Sequence, residues 1–113
     1  MSTISITELR DRIDDPTLTI VDVRPLTAYN GWRLDGEARG GHIPGARAFP
    51  AVWLRSVDEA EIERLLDEKG VIAGRDIVIY GHGEEEVAAV TARLHHLGVD
   101  TVRSLVRFPT TGP

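Results

Sequence analysis

Apolar positions recur along this chain in two rhythms. Ile6, Leu9 and Ile13 fall three and four apart, the spacing of one helical face. Ser5 followed by Glu8 fits a capping box, in which each side chain satisfies a free amide at the helix start. Asp14-Asp15-Pro16 then ends that helix. From Leu18 to Val23 the rhythm changes: Ile20, Val21 and Val23 leave Asp22 as the one charge in an apolar run, which predicts a parallel strand covered on both faces. A helical turn is expected over 25–30. Gly31 to Pro50 holds five glycines and two prolines and reads as a long loop, with a short strand over Arg47 to Phe49 at its end.

The second half repeats the alternation. Ser56 with Glu59 offers another capping box, and Ile62, Leu65 and Leu66 mark a helix that stops near Gly70. Asp76 to Tyr80 is the clearest strand. Val87, Val90, Leu94 and Leu97 form a helical stripe from about Glu84, with Gly98 placed as its stop. Thr101 to Val106 is a last strand. Helices alternating with strands imply an α/β fold, a parallel sheet with helices on both faces, whose sites form beyond the carboxyl ends of the strands. That rule singles out the loops after Val23 and after Tyr80.

Composition narrows the chemistry. A chain of 113 residues suits one domain. Its formal net charge of −5 argues against broad binding to nucleic acid or anionic lipid, and no apolar stretch approaches the ~18 to 20 residues of a membrane span. The absence of a basic region followed by an apolar run at the N-terminus makes a cytoplasmic protein the expectation. There is no cysteine, which removes disulfides, thiolate metal sites and a cysteine nucleophile together.

The loop after Tyr80 reads Gly81-His82-Gly83-Glu84-Glu85-Glu86. A strand, a glycine-bearing loop and a helix start form an anion cradle by geometry. The plainer reading is an ordinary strand-to-helix turn whose glutamates stabilise the helix start. Three adjacent glutamates repel a bound anion, or occupy the amides themselves. His42 is readable as a general base or ligand, but with no second catalytic partner it reads first as a loop histidine bonded to backbone. Asp22 and Arg24 read as a structural ion pair, since a charge in a buried run needs a partner. His95 and His96 are adjacent on a helix and point apart; no spacing announces a zinc site, so no metal and no cofactor is expected.

Taken together, Ile20-Val21-Asp22-Val23-Arg24, then Tyr29, then Gly41-His42-Ile43-Pro44-Gly45-Ala46 resemble the rhodanese pattern. Asp76 to Tyr80 is similar to the strand that delivers that family's persulfide-carrying cysteine. The resemblance implies a rhodanese-like domain over residues 4–106, with a central five-stranded parallel sheet, and a tail or linker at 107–113. The segment from Tyr29 to Leu34, with Gly40-Gly41, looks most like tandem thiosulfate and mercaptopyruvate sulfurtransferases, in which one domain often lacks the cysteine. At the position of the cysteine this chain has Gly81. The resemblance therefore implies a catalytically inactive domain with no catalytic residue of its own. On that resemblance Asp22, Arg24, His42 and Gly45 are expected to be structural, and the expected partner is a catalytic rhodanese domain or another protein. Two further readings are a subunit whose partner supplies the cysteine, and a stand-alone regulatory binding module. The encoding frame discriminates them: continuation into a cysteine-bearing domain favours the tandem arrangement.

Overall fold

In a computed structural model the described residues are 3–26, 43 and 45–105. His42, the glycine-rich segment before it and the tail at 107–113 lie outside them, as does most of the helical turn expected over 25–30. The elements are β1 (Thr3–Ile4), α1 (Ile6–Asp11), β2 (Leu18–Asp22), β3 (Arg47–Ala48), α2 (Trp53–Ser56), α3 (Glu59–Glu68), β4 (Asp76–Tyr80), α4 (Glu84–His96) and β5 (Val102–Leu105). The five strands form one parallel sheet in the order β1-β5-β4-β2-β3. Four of them follow the apolar runs in the sequence. The fifth, β1, adds two residues beside β5, too few to show a periodicity.

Side-chain alternation sorts the apolar residues onto two faces. Val21, Val23, Ile77 and Ile79 point to one, where Ile62 and Leu66 of α3 and Val90 and Leu94 of α4 cover them. Ile20, Val78 and Tyr80 point to the other, against Leu9 of α1. Helices thus lie on both faces, and the middles of the central strands β2 and β4 are apolar because both faces are covered.

The helix ends are set by local chemistry. Ser5 caps α1 in the expected box: its hydroxyl accepts the Glu8 N–H at 3.1 Å and the Glu8 carboxylate accepts the Ser5 N–H at 3.4 Å. Gly70 and Gly98 close α3 and α4 at φ of +76° and +87°, a region open to glycine. Behind them the Val71 and Val99 amides return to Leu66 and Leu94, so each stop also buries an apolar pair. The second capping box is not used. Ser56 ends the one-turn helix α2, and Asp58 caps α3 by accepting the Glu61 N–H at 2.9 Å. Trp53 and Leu54 decide this: both pack on the core, which needs a separate turn before the chain extends at Val57. No helix among the described residues is long and apolar enough to cross a membrane.

Candidate functional site

The carboxyl ends of β2 and β4 lie side by side, since Asp22 pairs with Tyr80 and the Val23 N–H donates to the Tyr80 carbonyl at 3.0 Å. Asp22 and Arg24 are both fully buried. The Asp22 carboxylate accepts the Arg24 backbone N–H at 2.9 Å, the guanidinium Nε at 3.1 Å and Nη2 at 2.7 Å. The charge in the apolar strand is therefore neutralised two residues away, as its sequence setting requires.

Tyr80 extends this network, a role the sequence did not signal beyond an aromatic ending an aliphatic strand. Its hydroxyl donates to Asp22 Oδ2 at 2.9 Å and accepts the Ile43 N–H at 3.1 Å, while the Arg24 guanidinium carbon lies 5.6 Å from its ring centre. Three residues on, the Ala46 N–H returns to the Ile43 carbonyl at 2.9 Å, with Gly45 before it at φ +84°, a region open to glycine. One hydroxyl thus ties the turn carrying Gly45 to the ion pair. Burial, then the Asp22 charge, pushes the Tyr80 phenol well above its usual range. A proton held more tightly in the folded state stabilises fully below the free tyrosine value near 10, and that stability is lost as pH rises beyond it. Tyr80→Phe is expected to cost about 1.5 to 3 kcal/mol at neutral pH, the scale of a hydrogen bond to a charged group, and to flatten the loss of stability above pH ~10. Urea titrations at several pH values measure both; an unchanged midpoint and an unchanged alkaline limb count against the tie.

Gly81 sits where β4 gives way to the loop, next to Val23, the residue that follows β2. A Cβ added there would stand 2.8 Å from Val23 Cγ2, 3.1 Å from Glu86 Oε1 and 3.4 Å from Val87 Cγ2. Its φ is not positive, so the backbone would admit any residue. The exclusion is steric, and Val23, with none of its surface exposed, is the atom in the way. The remaining space beside Gly81 belongs to Glu86, whose carboxylate accepts the His82 N–H at 3.0 Å. Of the three glutamates, then, one occupies a loop amide while Glu84 and Glu85 stay exposed. Helix phase selects it. Gly83 is the N-cap of α4 and Glu86 the third helical residue, the position from which a side chain reaches back over the start. Among the described residues no cluster of His, Cys, Asp or Glu is arranged to hold a metal ion.

The rhodanese-like domain profile matches residues 5–107. Thiosulfate sulfurtransferase YnjE of Escherichia coli (strain K12) is 24% identical over 95 residues, covering 84% of this chain and 22% of the relative. The anaerobic ergothioneine biosynthesis enzyme of Chlorobium limicola, solved with trimethyl histidine, superposes with a TM-score of 0.87 at 35% identity, covering 96% of this chain and 25% of that one. EanB, solved with a cysteine persulfide and ergothioneine in a tetrahedral intermediate state, gives the same TM-score, 0.87, and the same identity, 35%. The chain spans about a quarter of the length of these relatives. With its parallel five-stranded sheet and a family match along nearly its whole length, the chain belongs to the rhodanese-like family and is related through it to sulfurtransferases.

Proposed function

We propose that these residues form a catalytically inactive rhodanese-like domain, a non-catalytic unit of a tandem sulfurtransferase that acts by packing against a catalytic rhodanese domain or presenting its loop face to that partner. The observation that carries this reading is Gly81: no cysteine exists in the sequence, and the space a side chain would take there is filled by Val23 and Glu86. Sulfur transfer in this family runs through a thiolate, and glycine has nothing to attack with. The length of the relatives supports a unit of something larger, because this chain covers only 22% and 25% of two of them. A subunit lending its loop to a partner's cysteine is less favoured, since the Glu86 carboxylate already holds the amide an anionic sulfur donor would need.

The purified chain is expected to form no thiocyanate above buffer background from thiosulfate or mercaptopyruvate and cyanide. Turnover that persists through repeated purification sinks the inactive reading. For the partner role, the encoding frame is read first. A cysteine-bearing rhodanese domain found there is then prepared with and without this unit, and the unit is expected to raise its melting temperature. Two domains that melt independently would remove packing from the proposal.

A further inference from the structure

The amino-terminal edge of the sheet, opposite the Gly81 loop, holds an open cleft of about 490 Å³ under the end of α3. Thr19, Arg47 and Arg75 line it. Register puts all three on one face: Arg47 pairs with Val21, and Thr19 pairs with Ile77, two residues from Arg75, so each shares the parity of the residues beneath α3 and α4. Arg75 is fixed in place. Its Nε donates to the Thr19 hydroxyl at 2.9 Å and its Nη2 to the Pro16 carbonyl at 2.8 Å, while the Thr19 hydroxyl donates onward to the Gly70 carbonyl at 3.1 Å. Arg47 is exposed, and its guanidinium makes no hydrogen bond or ion pair among the described residues.

The acids beside them do not cancel this charge. Glu68 lines the cleft but is engaged by Arg64, outside it. Asp67 remains against Arg47 and Arg75, with Lys69 a third cation whose ammonium lies 5.7 Å from the Trp53 ring centre. With Glu68 paired to Arg64, the lining sets Arg47, Lys69 and Arg75 against Asp67, a local excess of positive charge on a chain of net charge −5. The Thr19 hydroxyl gives its one proton to Gly70 and the Gly70 N–H goes to the Asp67 carbonyl, so the donors left for a planar or tetrahedral oxyanion are the guanidinium of Arg47 and the remaining N–H groups of Arg75, which is already held in place.

The geometry points to this cleft as a binding site for a small oxyanion, held between Arg47 and Arg75, at the end of the sheet away from the Gly81 loop. Phosphate, sulfate and succinate are the probes, the last separating carboxylate from tetrahedral recognition. Each is titrated into the whole chain at constant ionic strength against chloride, by amide and arginine Nε–H NMR. Saturable shifts are expected at Thr19, Gly45, Gly70 and the Arg75 Nε–H for at least one probe, with the Gly81 loop unmoved. Arg47→Ala, at an exposed position, is expected to weaken that binding about tenfold while leaving the melting temperature near the parent's, and Arg47→Lys to recover part of it. Shifts no larger than those with chloride, shifts that grow without saturating, or unchanged affinity in Arg47→Ala would each overturn the assignment.

Discussion

Asp22→Ala and Arg24→Ala are each expected to destabilise the domain by about 3 to 5 kcal/mol, because each removes one partner of a fully buried ion pair. Neither side chain has exposed surface, and the carboxylate takes three donors from Arg24 and a fourth from Tyr80. Arg24→Ala leaves the carboxylate its bond from Tyr80 but takes away the guanidinium. Asp22→Ala removes the carboxylate to which both the guanidinium and the Tyr80 hydroxyl donate, so it is the more damaging of the two. For a domain near this size 1 kcal/mol moves the melting temperature by about 4 to 8 °C, so both variants should melt more than about 10 °C below the parent. The pair is not thereby a net source of stability. Desolvating two charges costs much of what their attraction returns, and replacing both with apolar residues of similar volume should recover much of either single loss. Calorimetry on the two single variants and on Asp22→Leu with Arg24→Met tests both statements. Single variants that melt with the parent would mean the charges are solvated. A double variant as unstable as the singles would mean the network, and not neutrality, holds the Gly45 turn.

The sequence was most readable where one residue decides its own surroundings. Gly70 and Gly98 each stop a helix because only glycine takes the left-handed turn without cost, and both did so at the expected place. Asp22 announced a buried partner because a charge cannot sit alone in an apolar strand. Reading failed where distant packing decides. Ser56 with Glu59 and Asp58 with Glu61 are equally good local starts, and the choice between them lies with Trp53 and Leu54 on the core. The function of Tyr80 depends on Ile43, 37 residues away, which no local pattern encodes. At the candidate site the identity of Gly81 was legible, and its reason was not. The missing side chain looks in sequence like the loss of one sulfur atom. In three dimensions Val23, 58 residues earlier in the chain, stands against the place a Cβ would take.

That difference governs what happens when the nucleophile is put back. Gly81→Cys alone is expected to lower stability by about 1 to 3 kcal/mol, the usual cost of overpacking a close-packed site, since its Cβ meets a Val23 methyl at 2.8 Å. Val23→Ala in the same chain removes that methyl and should return part of the loss. The thiol faces a second obstacle. A helix start and loop amides favour a thiolate, but the Glu86 carboxylate lies 3.1 Å from the Cβ position and already uses the His82 N–H. At that distance like charge outweighs the helix end, which supplies only a fraction of an elementary charge. The introduced thiol should therefore ionise above the ordinary cysteine value of about 8.5. Glu86→Gln added to Gly81→Cys should bring it down by about one unit, whereas glutamine at the exposed positions 84 and 85 should do far less, because solvent screens those charges. Alkylation rate against pH, with a neutral reagent, reads the ionisation in each variant, and thiocyanate formation from thiosulfate reads transfer beside it. Gly81→Cys alone should alkylate without transferring sulfur. Any transfer should emerge only with Glu86→Gln and Val23→Ala present together, when the pocket has room and one negative charge fewer beside the incoming anion. Robust transfer by Gly81→Cys alone would show that Val23 turns aside readily and that Glu86 gives up its amide to substrate. If glutamine at 84 and 85 matched the effect at 86, the inhibition would be a diffuse field rather than one carboxylate in place.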